Sequence, residues 1–344
     1  MKLENGTIYF VRELDPVTGE YTGLVKIGLV KGERSPYKRL EEHQTGNPRK
    51  LLFNEEHFVQ TPAVEFVESQ LHGRFASKRV SGEWFHFPSN NELEDAVVVC
   101  RTLATEMKSF IAEFEHAASF RMKESSQIKK VPNDDDLEYA NQWFNANEIT
   151  VKATKIMNLI SSEIKWNFQE FGSKAVEGVA TIISVEQEPE FSTALFKKKH
   201  AKLWEELCDK VPQTWNPKFE LLFTGELSVE TVQELFELSE LGERFETAKE
   251  NKDVFELNEI DLTARQILAP AEWTKSVAEA KLQISCGLNE GIKDVCEWIR
   301  KVQYRRKFRR DWLFERHPEI YEQYIVPKPP KTSVVRLPFA SELK

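Results

Sequence analysis

The feature that most constrains the fold is the order of strand and turn signals in the first thirty residues. Two segments rich in β-branched and aromatic residues, 7–12 and 23–30, flank a turn that contains Asp15, Pro16 and Gly19. Strand-forming segments joined by such a turn are typical of an antiparallel hairpin. The chain is therefore predicted to begin with two paired strands, whose apolar faces the following elements must cover.

Helix signals follow this hairpin. Ser35 and Pro36 supply an N-cap and a proline at the first helical position, and Gly46-Asn47-Pro48 supplies a stop, so a short helix is predicted over 37–44. Residues 51–59 could form a third strand, and a second helix is expected after Thr61-Pro62. These elements predict an α+β domain, a small antiparallel three-stranded sheet with flanking helices.

The remainder of the chain is predicted to be mainly α-helical. One long amphipathic helix is expected from 91 to about 130, and the acidic, proline-bearing stretch 131–136 is the linker candidate. Prolines between 212 and 217 and at 270 are expected to divide the helical region into segments. The predicted domains are an α+β domain (1–90), a connecting helix and linker (91–132), a helical domain that selects a target or partner (133–326), and an extended tail (327–344).

Composition argues against several classes of protein. The 344 residues are 40% hydrophobic and 30% charged, which fits neither a disordered chain nor a membrane protein. No apolar run reaches the about 18 residues of a membrane span, and the first ten residues lack the pattern of a secretory leader. The four cysteines form no C-x-x-C pair, so neither a disulfide framework nor a cysteine zinc site is expected. A reducing cytoplasm is the expected location.

The formal net charge of −9 is spread unevenly along the chain. Residues 1–90 carry 12 Lys and Arg against 12 Asp and Glu, and 133–292 carry 16 against 30. Residues 293–344 reverse the sign, with 13 against 7. Because the total averages over regions of opposite charge, it does not exclude a polyanion as partner.

The α+β domain carries a set of residues suited to phosphodiester chemistry. Alternation along the first two strands places Tyr9 and Lys26 on the side opposite the apolar faces. Arg39 and His43 share one face of the first helix, because they are four residues apart. Glu68 and His72 repeat that spacing on the second helix. Hydrolysis of a phosphodiester needs a carboxylate for a metal ion, a base for water, and fixed positive charge on the phosphate, and this set offers all three.

Residues 6–87 resemble a GIY-YIG nuclease domain. The resemblance is closest to the phage and meiotically-up-regulated branch of that superfamily, and it rests on motifs that follow one another in the expected order. They are Thr7-Ile8-Tyr9, Lys26-Ile27-Gly28, Arg39-Leu40-Glu41-Glu42-His43, Gln44-Thr45-Gly46-Asn47-Pro48, Glu68, Leu71-His72-Gly73-Arg74-Phe75, Arg79 and Gly82-Glu83-Trp84-Phe85.

The resemblance implies an endonuclease that cuts DNA with one Mg²⁺ (or Mn²⁺) ion held by Glu68. It implies that Tyr9 acts as general base or holds the attacking water, that Arg39 stabilises the pentavalent phosphate, and that His43 assists proton transfer or phosphate binding. Lys26 stands where the superfamily has its second tyrosine, and could contact phosphate, lower the pKa of Tyr9, or be an ordinary solvated lysine. His72 and Glu83 are secondary candidates: His72 could equally be structural, and Glu83 lies near the expected position of a closing asparagine.

A basic run near the carboxyl end is the other informative feature. Tyr304, Phe308 and Trp312 are spaced like one face of a helix, so a helix with an aromatic stripe and outward cations is predicted. Such cations would contact nucleic-acid phosphates, giving salt-sensitive, sequence-independent affinity. The alternatives are a solvated face, or pairing with the acidic 133–292 region. The predicted nucleic-acid-binding residues are Arg300, Lys301, Arg305, Arg306, Lys307, Arg309 and Arg310.

The leading hypothesis is a metal-dependent endonuclease that hydrolyses DNA and acts in phage defence, restriction or mobile-element biology. The alternatives are a DNA-binding module that keeps the fold without turnover, and an RNA-directed nuclease. DNA is the expected partner, no membrane is expected, and a protein partner or a second copy of the chain could bind through the helical region. Residues after 132 resemble no named family.

Overall fold

The computed structural model describes residues 3–45, 49–121, 123–171, 175–176, 180–214 and 218–336. Gly46-Asn47-Pro48, predicted to stop the first helix, lies outside these residues, as do 215–217 and 337–344 of the predicted breaks and tail. No helix among the described residues combines the length and the apolar content needed to cross a membrane.

The N-terminal region is the predicted antiparallel sheet with flanking helices. Its elements are β1 (Gly6–Leu14), β2 (Tyr21–Lys31), α1 (Pro36–Gln44), β3 (Lys50–Phe53), β4 (Val59–Thr61), α2 (Val64–Arg74), β5 (Arg79–Ser81) and β6 (Trp84–His86). The sheet has six strands within the described residues rather than three, in the order β3-β1-β2-β6-β5, with β4 also paired to β1.

The predicted third strand is divided in two. A 3-10 turn at Glu55–His57 separates β3 from β4, and the Asn54 side chain caps this turn by accepting a hydrogen bond from the Glu56 amide. Because β4 continues to Thr61, α2 begins only at Val64 and lacks the predicted threonine cap. The first helix begins as predicted, with the Ser35 hydroxyl accepting from the Tyr37 amide and Pro36 in the first turn.

The two faces of the hairpin pack against different elements. Phe10 lies opposite Ile27 in the β1–β2 register, and both side chains belong to a core that includes Val67 and Leu71 of α2. The other face holds Tyr9 and Val11 beneath Leu51 of β3. Burial of both faces fixes the register, since a slip of one residue would exchange every side chain between the two clusters.

The rest of the chain is mainly helical, with short strands between the helices that the sequence did not predict. The elements from 90 to 301 are α3 (Asn90–Phe120), β7 (Lys129–Lys130), α4 (Asp134–Phe171), β8 (Ala175–Val176), β9 (Ala180–Val185), β10 (Glu190–Phe191), α5 (Thr193–Lys199), α6 (Ala201–Glu206), β11 (Cys208–Thr214), β12 (Glu220–Leu221), α7 (Val229–Glu250), α8 (Val254–Cys286), β13 (Gly291–Ile292) and β14 (Cys296–Glu297). The elements after 301 are β15 (Val302–Phe308), α9 (Arg310–Arg316), α10 (Pro318–Glu322), β16 (Ile325–Val326) and β17 (Lys331–Arg336).

Two helix predictions need correction. The helix expected from 91 to about 130 ends at Phe120, because the amides of Ser125 and Ser126 bond instead to the carbonyl oxygens of Arg300 and Leu288. Pro270 does not end α8, which continues to Cys286. Buried Ala269 and Ala271 flank this proline, and their packing offsets the hydrogen bond that it removes.

The helix predicted for the basic run is wrong. Residues 302–308 form β15, which pairs antiparallel with β11 along its length, and the chain becomes helical only at Arg310. Positions 304, 306 and 308 share one side of a strand as readily as 304 and 308 share one side of a helix. The distant strand β11 supplies the hydrogen bonds that decide between these conformations.

Candidate functional site

Tyr9 lies at the centre of the predicted site and is buried, with only 1% of its surface exposed. It pairs with Gly28 across the β1–β2 ladder. A Cβ atom at position 28 would lie 2.5 Å from the Tyr9 hydroxyl oxygen. The glycine of Lys26-Ile27-Gly28 is therefore needed for the tyrosine ring to lie flat across β2.

Helix α1 brings two further predicted residues to this hydroxyl. The Tyr9 Oη and His43 Nε2 atoms lie 3.2 Å apart, within hydrogen-bond distance. Arg39 is one turn earlier and lowers the Tyr9 pKa by its hydrogen bond and its charge. Arg39 also donates to Glu42 at 2.6 Å and keeps 39% of its side chain exposed, so it remains open to a ligand.

Burial sets the protonation states of this pair. Desolvation raises the Tyr9 pKa to about 12 despite Arg39, so the phenol is neutral at pH 7. Desolvation, helped by the positive charges of Lys26 and Arg39, lowers the pKa of His43 below its ordinary value. A neutral imidazole can accept a proton from the Tyr9 hydroxyl through Nε2. Arg39 is the cation that lowers the Tyr9 pKa most.

Two carboxylates lie beside this pair. Burial is the main cause that raises the Glu68 pKa to about 7, and the negative charge of Glu83 adds to it. Lys26 forms an ion pair with Glu83, with Nζ and Oε2 3.0 Å apart. Lys26 thus contacts the site through the Glu83 carboxylate, and the lysine side chain is only 13% exposed. Of the charged residues that act on the Glu68 pKa, Glu83, a secondary candidate in the sequence analysis, has the largest effect.

His72 occupies a structural position. Its Nε2 atom hydrogen-bonds to the backbone oxygen of Ile27 at 3.2 Å, and its ring packs on Phe85 with centroids 5.1 Å apart. Burial lowers its pKa, so the ring is neutral and donates to the carbonyl. Of the two interpretations of His72, the structure favours the structural one.

Two arginines that the sequence analysis did not propose lie in this region: Arg79 beside the carboxylates, and Arg265, which is paired with Asp261, near Arg79. The charges of Glu68 and Glu83 act on Arg79, whose pKa is lowered by burial first and by the nearby cation Arg265 second. Arg79 is one of the motif residues on which the family resemblance rests, so it could have been proposed as a site residue from the sequence. Arg265 could not, because it comes from α8, almost two hundred residues further along the chain.

Helix α8 reaches the site because it packs directly against α2. A Cβ atom at Gly73 would lie 2.8 Å from the Cβ of Ala269, so only a glycine permits this approach. The Gln266 amide donates to the Ser77 hydroxyl at 2.6 Å. The helical region is therefore in contact with the N-terminal sheet at the edge of the site.

A divalent cation fits the chemistry of the two carboxylates. Burial and, after it, the negative charge of Glu83 raise the Glu68 pKa, and a cation held by the two carboxylates would lower it again. Among the described residues, His, Cys, Asp and Glu side chains do not converge in threes to form a fuller ligand set. A cation held here would keep most of its water, as Mg²⁺ commonly does.

The basic residues near the carboxyl end divide into two groups. Arg300 is buried, 2% exposed, and donates to the backbone oxygens of Gly287 and Asn289. Its prediction as a nucleic-acid contact is therefore wrong, because its guanidinium supports a loop and stacks on Trp298. The exposed group consists of Lys301, Arg305, Arg306, Lys307, Arg309 and Arg310.

Part of the exposed group pairs within the chain. Arg306 lies 3.0 Å from Glu205, Arg309 lies 3.5 Å from Asp209, and Arg310 donates to the Tyr321 hydroxyl. The predicted pairing with the acidic region is thus found for two cations, through Glu205 of α6 and Asp209 of β11. Arg305 and Lys307 form no ion pair with the described side chains.

Comparison with known proteins gives one match. Residues 6–103 match the family model of the T5orf172 domain. This match corrects the family assignment made from the motifs: the matching family is the T5orf172 domain, not the GIY-YIG superfamily, so that assignment is wrong. Neither a curated protein nor a solved structure matches the chain.

Proposed function

We propose that the site around Tyr9 and Glu68 hydrolyses DNA phosphodiester bonds with the help of a divalent metal ion. The observation that carries the proposal is the convergence of a neutral phenol–imidazole pair, a partly exposed guanidinium and two adjacent carboxylates on one side of the sheet. Acid–base groups, fixed positive charge and a cation-binding pair are the requirements of phosphodiester hydrolysis.

Tyr9 and His43 would handle the attacking water. A phenol with a pKa of about 12 is a poor base at pH 7, so Tyr9 is better suited to hold the water by a hydrogen bond. His43 is neutral and bonded to the same hydroxyl. A proton leaving the water could therefore pass along the Tyr9 hydroxyl to His43 Nε2.

Arg39 would bind the phosphate on which negative charge builds up. Its guanidinium is exposed on one side and held by Glu42 on the other, which fixes its direction. Guanidinium groups suit two phosphate oxygens at once. Arg79 adds positive charge beside the carboxylates.

Glu68 and Glu83 would hold the metal ion, Mg²⁺ or Mn²⁺. When bound, such an ion supplies Lewis-acid stabilisation of a phosphate oxygen and lowers the pKa of a bound water. Lys26 would orient Glu83 through their ion pair. The T5orf172 domain is a phage-associated domain linked to nuclease and DNA-binding functions, which supports DNA as the substrate class.

Cleavage of supercoiled plasmid tests the proposal. Mg²⁺ or Mn²⁺ should support nicking that EDTA abolishes, and Glu68→Gln should lower its rate by about 100-fold or more. Glu65→Gln is the matched control, because Glu65 is on the same helix, three residues before Glu68, but is held in an ion pair with Lys31. Equal inactivity of the wild type and Glu68→Gln, on plasmid, linear duplex and single strands, would reject hydrolysis of DNA.

A binding function without turnover is the second candidate. The Lys26–Glu83 ion pair favours it, because the lysine occupies the carboxylate that a metal ion would share. In that case the wild type would retain plasmid in a gel-shift assay without nicking it across a series of metals and pH values. RNA as the target is tested by the same assay with a labelled RNA.

A further inference from the structure

The carboxyl-terminal half of the chain contains a positively charged unit that the N-terminal site does not use. We call residues 190–214 and 301–336 the basic module. They carry 15 Lys and Arg against 8 Asp and Glu, while the other residues of the chain carry 32 against 48. The two segments pair with each other, through β10 with β16 and β11 with β15.

The basic module has its own aromatic core. Phe191, Phe196 and Phe308 pack there with Trp204 and Tyr324. The rings of Trp204 and Phe308 stack with centroids 4.4 Å apart. This core holds the Phe308 end of the β11–β15 ribbon, and it thereby fixes the positions of the cations on the ribbon.

The rest of the ribbon combines an exposed aromatic ring with several exposed cations. Tyr304 is 71% exposed, although every other tyrosine or tryptophan of this module packs on the core. Arg305 and Lys307 follow it on the strand, with their side chains on the opposite face of the ribbon, and form no ion pair with the described side chains. Lys210 lies across the ladder from Arg306 and is exposed as well.

An exposed aromatic ring near cations on an extended strand is typical of a surface that binds one chemical class of partner. Bases of single-stranded nucleic acid stack on such rings, and neighbouring Lys and Arg side chains follow the phosphates. A duplex hides the faces of its bases and could use only the cations. We propose that the basic module binds single-stranded nucleic acid along the edge of β15 that no described strand pairs with, with a base stacked on Tyr304 from one face of the ribbon and phosphates contacted by Arg305 and Lys307 from the other.

Fluorescence anisotropy with the full-length protein tests this binding in EDTA, so that it does not depend on cleavage. The probes are a labelled 20-nucleotide single strand and the corresponding duplex. The single strand should bind more tightly, and Tyr304→Ala should weaken its binding about tenfold. Tyr304→Phe keeps the ring and should bind like the wild type. Phe236→Ala, which removes a 57% exposed ring from α7, is the matched control and should change nothing.

The salt dependence of the same binding tests the cations. Arg305→Ala combined with Lys307→Ala should reduce the slope of log Kd against log salt by about 1.4, since each single-strand phosphate contact contributes about 0.7. Lys155→Ala combined with Lys165→Ala removes two exposed lysines from α4 and should leave the slope unchanged. Equal affinity of Tyr304→Ala and wild type, tighter binding of the duplex, or no binding at low salt would each overturn the proposal. Failure to cleave DNA would not affect it.

Discussion

The N-terminal site and the basic module use the same residue types in opposite environments. Tyr9 is 1% exposed and is bonded to His43, whereas Tyr304 is 71% exposed and borders cations. Lys26 and Arg39 are held in ion pairs, whereas Arg305 and Lys307 are not paired with any described side chain. Burial shifts the pKa values of side chains and fixes their geometry, and a catalytic site requires both. Exposure leaves the cations and the face of the ring free to contact a flexible nucleic-acid strand.

The largest difference between the two regions is expected when the hydroxyl group is removed from Tyr9 or from Tyr304. Tyr9→Phe removes the hydroxyl that His43 and Arg39 share, and should lower the rate of plasmid nicking by about 100- to 10,000-fold. Tyr304→Phe should change neither nicking nor single-strand binding, because only its ring is used. Single-turnover nicking and anisotropy on both variants measure the difference. A Tyr9→Phe variant as active as the wild type would show that the phenol takes no part in the reaction.

The hairpin and the first helix were predictable because their signals are local. Ser35 and Pro36 cap α1 from adjacent positions, and strand alternation with i, i+4 spacing brought Tyr9, Arg39 and His43 together. The burial of Tyr9 was not predictable, since it depends on Leu51 and Phe53 of β3 covering the face.

Long-range contacts decided what the sequence missed. Strand β15 forms only because β11, about ninety residues earlier, pairs with it. Arg265 reaches the site only because Gly73 lets α8 approach α2. Neither contact has a signal in the local sequence, and the four-residue spacing of Tyr304, Phe308 and Trp312 satisfies the strand and the helix period alike.

The second prediction concerns the position that supports Tyr9. Gly28→Ala places a methyl group 2.5 Å from the Tyr9 hydroxyl oxygen, so the ring must move. A displacement of about 1 Å from productive geometry costs about 100-fold in rate, and overpacking should lower the free energy of unfolding by about 1–3 kcal/mol. Gly242→Ala on α7 meets no atom within 4 Å and is the control. Single-strand binding by Gly28→Ala should equal that of the wild type, and loss of both activities together would mean that the two regions are not independent.

The smallest expected effect concerns the stability of the N-terminal region as a function of pH. The folded-state pKa of Glu68 is raised to about 7 from an ordinary value of 4.5. The stability contributed by its neutral form is therefore complete below about pH 4.5 and is lost as the pH rises through 7. Glu68→Gln, which stays neutral, should raise the free energy of unfolding by about 1 kcal/mol at pH 8 after allowance for solvent screening, and by nothing at pH 4.5. Thermal melts of both proteins in EDTA measure this difference. Equal stabilities at pH 8 would mean that burial and the charge of Glu83 do not raise the Glu68 pKa, and the two carboxylates would no longer support a metal site.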